Sequence, residues 1–485
     1  MLIKHSFLYV VSRVVPGMMG MVTTALLTRI LDPTSYGLYG LALTVMTFGQ
    51  AAVFDWLGLS FLRFYERNRD DPRLASTVVQ MFFILLAVSV MVMGTVALSG
   101  LTPPTETAVI ASGVLMMGAS GWFEMIGRFE VANFRPTKFL SMNLGRGSLI
   151  AVGAGSAAWL THSPVWTSVG TATAIVVAAA LLRTPLRISF GPSHFDWPLA
   201  KSLLAFGLPM AAAMTFGTLA NSGTRALVQV LDSAKALGIY TACFLVVQNT
   251  VVTISGGIAS AAYQLAVRAV ETGDSGIVRR QLLDNGTLLI AVAAPISVGM
   301  ALTAHGIASL MVGPEFVDGV AALTPWMAAT GFFYSLRSYY FDHAFQLGRR
   351  PALQIVVAAG SAVVAIALCI LLIPRYGPLG AAIATTVAMS TSCVHCYIAG
   401  KAAFPVPIPY SGAAGVLTAC LAMALVVLSV PDRGSIGFVA QVTAGAVTYG
   451  AAAVAFNVVG SRTAITRLAR DGKGVWGPRR FREEG

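Results

Sequence analysis

Four charged residues lie inside apolar segments of this chain, where an ionisable side chain is costly unless it is paired or hydrated. Arg13 and Arg146 are cations, and Asp55 and Glu124 are anions. A guanidinium binds an anionic group through two parallel hydrogen bonds, and a carboxylate can hold it in the meantime. The four residues therefore indicate an anion-binding site with a gating or ion-coupling pair. Fixed ion pairs, or side chains that reach the membrane interface, are the alternative.

Two further places combine an arginine with groups that bind sugars or phosphates. Arg225 follows the polar stretch 221–224, and it is predicted to face the other half of the molecule. Arg337 and Tyr334 are three residues apart and share one helix face. An aromatic ring beside an arginine suits sugar stacking, although a tyrosine near a membrane interface is more often an anchor.

Prolines inside apolar helices are candidates for moving parts. Proline removes one backbone hydrogen bond and bends a helix. Pro16 and Pro209 each lie in the first apolar segment of a half of the chain, and Pro16 is followed by Gly17 and Gly20. Gating by a bend at Pro16 is one interpretation, and a static kink is the other.

The residues do not indicate a metal, a cofactor or a catalytic site. All five cysteines fall in apolar segments, so no disulfide framework is expected. Cys393 and Cys396 flank His395 as a metal pair would, but further ligands and a polar setting are missing. We interpret these residues as packing residues and predict that the protein is not an enzyme.

The composition requires that these residues lie in a membrane. Hydrophobic residues make up 56% of the chain, charged residues 11%, and the mean hydropathy is +0.76. Apolar stretches of about 20 residues recur along the whole length. We predict an all-α polytopic membrane protein with about fourteen spans, near 7–30, 37–61, 76–99, 108–127, 139–160, 165–182, 202–230, 237–264, 286–312, 319–342, 353–373, 376–398, 410–430 and 437–459.

Basic residues set the predicted orientation. With a cytoplasmic amino terminus, 17 lysines and arginines lie in inside loops before the tail, and 4 lie outside. The tail 461–485 adds further basic residues on the inside, so both termini are predicted to be cytoplasmic. The net charge of +12 therefore reports orientation and contact with anionic lipids, not nucleic-acid binding.

A short motif occurs twice, about 200 residues apart. Leu31-Asp32 precedes Gly37 and Tyr39, and Leu231-Asp232 precedes Gly238 and Tyr240, with one residue inserted. Both corners are predicted outside, between the first and second span of a block. The pattern predicts two pseudosymmetric six-helix lobes, 1–190 and 191–400, followed by helices 13 and 14 in 401–460 and the basic tail. Because no loop is long enough for a catalytic domain, this architecture favours a transporter.

The stretch SFLYVVSRVVPGMMGMVTTALLTRILDPTSYGLYGLALTV at 6–45, continued by FDWLGLSFLRFYE, resembles the opening of the Wzx polysaccharide flippases. These belong to the multidrug/oligosaccharidyl-lipid/polysaccharide (MOP) exporter superfamily. The resemblance implies transfer of an undecaprenyl-pyrophosphate-linked oligosaccharide across the bacterial inner membrane for surface polysaccharide synthesis, such as lipopolysaccharide or exopolysaccharide. A polysaccharide polymerase and a chain-length regulator are possible partners. Arg13 and Arg146 are then expected to attract the pyrophosphate, and Asp55 and Glu124 to hold them between transport cycles.

Two other functions agree with the same architecture. One is an ion-coupled exporter of organic cations, which is expected to concentrate carboxylates in its binding site. The other is a non-transporting membrane scaffold of a polysaccharide-assembly complex, which requires no charged site. Buried arginines outnumber buried acids in the predicted spans, and this excess favours an anionic cargo.

Overall fold

The computed structural model describes residues 2–68, 71–100, 103–133, 135–182, 195–348, 350–431, 434–460 and 462. Side chains are described in these ranges except at 2–14, 72, 136, 182, 213, 220–222, 351 and 459. The side chain of Arg13 and nearly all of the predicted basic tail 461–485 therefore lie outside the described residues.

The described residues form helices and no strands, so the all-α fold class is confirmed. Two π-helical turns, Gln248–Val252 and Arg337–Phe341, interrupt the helices in the second half. The α-helices are α1 (Leu2–Ile30), α2 (Pro33–Val53), α3 (Asp55–Tyr65), α4 (Pro72–Ser99), α5 (Pro104–Ala132), α6 (Pro136–Thr161), α7 (Pro164–Leu182), α8 (Trp197–Leu231), α9 (Ala234–Val247), α10 (Thr253–Glu271), α11 (Ser275–Leu302), α12 (Ala304–Met311), α13 (Val317–Leu336), α14 (His343–Leu347), α15 (Pro351–Gly400), α16 (Tyr410–Ser429) and α17 (Gly434–Ala455).

Within the described part of the chain, ten helical segments are long and apolar enough to cross a membrane. They overlap eleven of the fourteen predicted spans, and the other three correspond to α1, α6 and α13. One segment, α15, holds two predicted spans because the chain turns at Gly377, whose φ is 57° and ψ is −139°. A multi-span membrane protein is thus shown, while the number fourteen stays a prediction.

Proline and short acidic side chains explain where many helices begin. The fixed φ of proline suits the first helical position, where its missing N–H needs no partner. Aspartate just before the helix accepts hydrogen bonds from free N–H groups of the first turn. Proline starts six helices, at Pro33, Pro72, Pro104, Pro136, Pro164 and Pro351, and aspartate caps four, at Asp32, Asp71, Asp196 and Asp274.

The two repeated corners share one capping geometry. Asp32 accepts hydrogen bonds from two N–H groups of the first turn of α2, at 2.9 and 3.3 Å. At the second corner, Ser233 Oγ accepts one from the first turn of α9 at 3.2 Å. Gly37 and Gly238 each lie five residues after their cap. The second corner therefore absorbs its inserted residue by moving the cap from Asp232 to Ser233.

The two corners also lie directly against each other. A methyl group on Gly37 would overlap the carbonyl oxygen of Ala234 and come within 2.9 Å of the Gly238 nitrogen. A methyl group on Gly238 would overlap the carbonyl oxygen of Pro33 and come within 3.1 Å of the Gly37 nitrogen. We call this reciprocal packing of α2 and α9 the corner contact. The corner end is the end of the bundle that contains it, and the basic end is the opposite one.

Further contacts close the corner end. One turn along α2, a methyl group on Gly40 would lie 2.8 Å from the hydroxyl of Thr241 on α9. The Thr28 hydroxyl of α1 accepts a hydrogen bond from the Gly313 N–H, before α13, at 3.0 Å. Small residues allow this close approach of membrane helices. The first and second halves of the chain are therefore joined by backbone-level packing here.

The largest apolar cluster surrounds the corner contact. Tyr36 and Tyr39 of α2 belong to it together with Leu237 and Tyr240 of α9. The rings of Tyr36 and Phe316 meet edge to face, with centroids 5.6 Å apart. In a membrane such aromatic contacts stabilise helix association through close packing, so the corner end is extensively packed. The division into lobes 1–190 and 191–400 stays a prediction.

Candidate functional site

Arg146 of α6 is held by three groups of α5. One guanidinium nitrogen donates to Glu124 Oε1 at 3.0 Å, and the other donates to the Ser120 hydroxyl at 3.1 Å. The guanidinium also lies 4.8 Å from the ring centroid of Phe123. The side chains of Arg146 and Glu124 remain 21% and 31% exposed. A pair with this exposure is weakened by water and can exchange its carboxylate for another anion.

Asp55 adds a second acid to this region. Its Oδ1 accepts a hydrogen bond from Gln50 Nε2 at 3.1 Å. Glu124 and Arg128 lie near enough to influence Asp55 electrostatically. We call Asp55, Glu124, Arg128 and Arg146 the charged cluster. Asp55 thus has a neutral hydrogen-bond partner and a basic neighbour, Arg128, and Glu124 is the acid that holds Arg146.

The breaks and spacings of the helices position the charged cluster. The second membrane segment breaks between α2 and α3, which places Asp55 in the first turn of α3. The amino terminus of a helix stabilises negative charge. Glu124 and Arg128 are four residues apart, so they share one face of α5. A methyl group on Gly58 would lie 3.1 Å from Arg128 Cγ, so glycine leaves room for this arginine.

Helix α1 meets the other half of the chain just after Pro16. A methyl group on Gly17 would lie 2.9 Å from Thr253 Cγ2, and one on Gly20 would lie 2.7 Å from Asn249 Nδ2. Asn249 belongs to the first π-helical turn, and such turns often occur at functional sites. The proline therefore lies at the point where movement of α1 would change its contact with the second half. Pro209 lies inside α8 with an exposed side chain.

Arg337 and Tyr334 have different surroundings. Arg337 starts the second π-helical turn and is 5% exposed, and its Nη2 lies 3.9 Å from Asp342 Oδ2. Tyr334 lines a cavity of about 30 Å³, together with Gln248 and Thr330. A cavity of this size holds water, not a sugar. Arg337 is thus in a buried ion pair, while Tyr334 faces a small cavity.

Arg225 lies in α8, six residues before the end of the helix at Leu231. It is 3% exposed, and its guanidinium lies 4.9 Å from the ring centroid of Phe244. The neighbouring Thr224 hydroxyl receives a weak contact from Cys369 Sγ at 3.9 Å. The other polar residues of this stretch, at 221–222, have side chains outside the described residues.

Cysteine and histidine residues do not form a metal site in the part of the chain that the structure describes. Cys396 Sγ donates to Asp342 Oδ1 at 3.2 Å, and Cys393 Sγ donates to the Phe333 carbonyl oxygen at 3.1 Å. Both cysteines are buried. They therefore contribute to the packing of α15 against α13 and the second π-helical turn.

Sequence reasoning missed several members of the site. It assigned Arg128 to an inside loop, whereas α5 extends to Ala132 and includes this residue. The four-residue spacing from Glu124 to Arg128 was a usable signal. No sequence signal indicated Gln50 or Ser120 as partners, because their roles depend on how α2, α5 and α6 cross.

The comparisons with known proteins agree with this geometry. A family model described as "Polysaccharide biosynthesis protein" matches residues 2–267, which is more than half of the 485 residues. A search of curated proteins found no match. Among solved structures, "Lipid II flippase MurJ, inward closed conformation" superposes with a TM-score of 0.74 at 14% identity, over 93% of this chain and 99% of that chain.

Two other solved structures extend the comparison. An inward-facing multidrug resistance MATE family transporter of the MOP superfamily has a TM-score of 0.64 at 12% identity, over 81% of this chain and 97% of that one. A MOP superfamily transporter from Pyrococcus furiosus has a TM-score of 0.55 at 11% identity, over 82% of this chain and 94% of that one. At these identities the likeness shows the fold.

The family match covers α1 to α9 and most of α10, and thus the whole charged cluster and both repeated corners. It confirms the resemblance to polysaccharide flippases that the amino-terminal residues predict, and the fold is that of MOP superfamily transporters. The family and these structural neighbours are transporters and flippases, not enzymes. The chain belongs to the polysaccharide biosynthesis protein family.

Proposed function

We propose that this protein is an alternating-access flippase for an undecaprenyl-pyrophosphate-linked oligosaccharide. It moves this lipid from the cytoplasmic to the periplasmic leaflet of a bacterial inner membrane, for surface polysaccharide synthesis. The observation that carries the proposal is the partly exposed Arg146–Glu124 pair inside a transporter fold. A pyrophosphate offers the oxygen geometry that a guanidinium binds best.

In the proposed cycle, the pyrophosphate displaces Glu124 from Arg146. The released carboxylate stays near Asp55 and Arg128, so the charged cluster keeps its net charge low while cargo is bound. When the cargo leaves, the 3.0 Å contact between Arg146 and Glu124 forms again. Arg13 is proposed as a second phosphate ligand. In this proposal the Glu124 carboxylate and the pyrophosphate bind Arg146 with similar affinity, so both binding and release of the cargo are fast.

The sugar chain needs other contacts. Tyr334 is proposed to stack against a sugar ring, because it lines a cavity that would widen when α13 moves away from α9. Arg337 is proposed to donate hydrogen bonds to sugar hydroxyls once its ion pair with Asp342 opens. Pro16 and Pro209 are proposed as the bends that allow α1 and α8 to move.

The proposed movement is a rocking of two lobes, 1–190 and 191–400. The reciprocal packing of Gly37 and Gly238 supports a two-fold relation between them, with an axis along the membrane normal. The corner end is then the periplasmic end, and both termini are cytoplasmic. Anionic lipids, a polysaccharide polymerase and a chain-length regulator are the proposed partners, and helices in 401–460 are available for such contacts.

The direct test is translocation of a fluorescent polyprenyl-pyrophosphate oligosaccharide in proteoliposomes. A membrane-impermeant reductant bleaches label in the outer leaflet, so transfer between leaflets raises the bleached fraction above that of empty vesicles. We expect transfer with the wild-type protein, measured with and without a proton or sodium gradient. Absence of transfer by protein with verified insertion and orientation would contradict the proposed function.

Replacing Pro16 with alanine is expected to slow flipping. Alanine restores the backbone hydrogen bond that proline lacks, and this stiffens α1 beside its contact with Asn249. One such bond is worth about 1 kcal/mol, so the rate should fall about fivefold. The measurement is the initial rate in the proteoliposome assay.

The matched control for this change is Pro104→Ala, since Pro104 lies at the first position of α5, where no hydrogen bond is gained. It should flip cargo at the wild-type rate. If Pro16→Ala also transports at the wild-type rate, the bend at Pro16 is static.

A further inference from the structure

Arg225 is a buried cation of α8. It is 3% exposed, and the ion pairs within 4.0 Å among the described residues do not include it. Its Nε atom has no hydrogen-bond partner. An unpaired charge in a low-dielectric interior costs several kcal/mol. The form of the protein in which the corner contact is closed therefore carries an energetically unfavourable buried charge at Arg225.

The groups around Arg225 are hydrogen-bond donors with aromatic bodies. Tyr36 of α2 and Tyr240 of α9 lie near enough to act on Arg225 electrostatically. The Tyr36 hydroxyl is buried and has no hydrogen-bond partner. Phe244 lies against the guanidinium plane, with 4.9 Å to its ring centroid. The Tyr240 hydroxyl interacts with Thr385, so the unused donors are the Tyr36 hydroxyl and Arg225 Nε. Among the described residues no carboxylate within 4.0 Å neutralises the arginine.

The position of Arg225 separates it from the charged cluster. Arg225 is six residues from the corner end of α8, which is about 9 Å. Arg146 is fifteen residues from the corner end of α6 at Thr161, which is about 22 Å. The two arginines therefore lie at different depths, with Arg225 directly beneath the corner contact that Tyr36 and Tyr240 flank.

We propose that Arg225, with the hydroxyls of Tyr36 and Tyr240, is a second phosphate site that binds the pyrophosphate of the cargo on its way out. This inference rests on the proposed function. In the present form the corner contact leaves no space for a pyrophosphate, since the adjoining cavity measures about 30 Å³. Separation of Gly37 from Gly238 opens the site, so the anion binds the corner-open form and shifts the equilibrium toward it.

The test uses the purified full-length protein and inorganic pyrophosphate. Thr241 is buried against Gly40 in the interface of α2 and α9, so a Thr241→Cys variant reports on corner opening through its reaction with a hydrophilic maleimide. The native cysteines are buried, and the wild-type protein gives their background reaction. Pyrophosphate should raise the labelling rate about tenfold over sodium chloride of equal ionic strength.

The response should depend on Arg225. Arg225→Met removes an unpaired buried charge and keeps the apolar stem, so this variant should fold at least as stably as the wild-type protein. Its labelling rate should not respond to pyrophosphate, whereas Arg280→Gln, which removes an exposed charge on α11, should respond normally. Arg225→Lys keeps the charge but loses bidentate hydrogen bonding, so its labelling response to pyrophosphate should be intermediate. If Arg225→Met does not fold, the response of Arg225→Lys tests whether Arg225 binds the anion.

Two results would overturn the inference: no pyrophosphate response in the Thr241→Cys protein, or a full response with methionine or lysine at position 225. The flipping assay separates this outcome from failure of the proposed function. Transfer of the lipid-linked oligosaccharide without an Arg225-dependent response removes only the second phosphate site. An Arg225-dependent response without transfer of that lipid leaves an anion site and contradicts the flippase.

Discussion

Alanine at position 37 is expected to keep the corner end from closing and to reduce flipping. The added methyl group would overlap the carbonyl oxygen of Ala234, which is backbone and cannot rotate away. Relief requires α2 and α9 to move apart. Overpacking of this kind costs about 2 kcal/mol, so the closed form should lose population about thirtyfold and flipping should fall similarly.

Two measurements check this result. Flipping is measured in proteoliposomes, and opening is measured by maleimide labelling of a Thr241→Cys reporter in the same background. Gly37→Ala should increase labelling without any added anion. The matched control is Gly360→Ala in α15, because nothing lies within 4 Å of the position that its methyl group would take. Normal closure and flipping with Gly37→Ala would mean that the corner contact is not a gate.

Because the corner contact is reciprocal, a substitution on α9 provides a second test. Gly238→Ala should have the same effect, since its methyl group would overlap the carbonyl oxygen of Pro33. Once the first substitution has separated α2 from α9, the second has little left to disturb. The double variant should therefore be much less impaired than the sum of the two single effects predicts.

Glutamine at position 146 is expected to abolish most cargo binding. Arg146 is a partly exposed cation that pairs with Glu124, and glutamine keeps a hydrogen-bond donor while it removes the charge. Loss of a charge-assisted contact to a pyrophosphate costs about 3 kcal/mol, so flipping at low cargo concentration should fall by about two orders of magnitude. Arg146→Lys should recover part of the loss.

Replacement of Glu124, the acid that pairs with Arg146, is expected to have the opposite effect on cargo affinity. Glu124→Gln frees Arg146 from its 3.0 Å ion pair, so cargo should bind more tightly while its release becomes slower. The measurement is the dependence of the flipping rate on cargo concentration. For Arg146→Gln the half-saturating cargo concentration should rise. For Glu124→Gln both the half-saturating cargo concentration and the maximal flipping rate should fall.

Arg280→Gln is the control for loss of a positive charge, because this side chain is exposed on α11 and does not take part in the ion pairs within 4.0 Å among the described residues. It should flip cargo normally. Equal losses for Arg280→Gln and Arg146→Gln would show that flipping depends on overall charge and not on the charged cluster.

The membrane architecture was predictable because it follows from rules that act locally. Hydropathy located the long apolar helices. The basic loops predict an orientation, which stays a prediction. The motif around Gly37 and Gly238 also marked the two helices that meet. The division of α15 at Gly377 matched the predicted boundary between 353–373 and 376–398, since glycine flanked by prolines ends a helix.

The partners of the charged residues were less predictable because they depend on helix crossing. Spacing suggested that Glu124 lies near Arg146 in depth, and the structure joins them at 3.0 Å. Spacing did not show that Asp55 accepts a hydrogen bond from Gln50, nor that no acid among the described residues lies within 4.0 Å of Arg225. The π-helical turn at Gln248–Val252 also has no simple sequence signal, and its contact with α1 depends on how the helices cross.

The shifted helix cap has a consequence for how the two halves correspond. An alignment on the Leu-Asp pairs matches Gly37 with Leu237, and this slip of one residue rotates side chains by about 100° around the helix. An alignment on the caps matches Gly37 with Gly238 and Tyr39 with Tyr240, at an offset of 201 residues. If the halves descend from one duplicated unit, the extra residue lengthened α8 and left the phase of α9 unchanged.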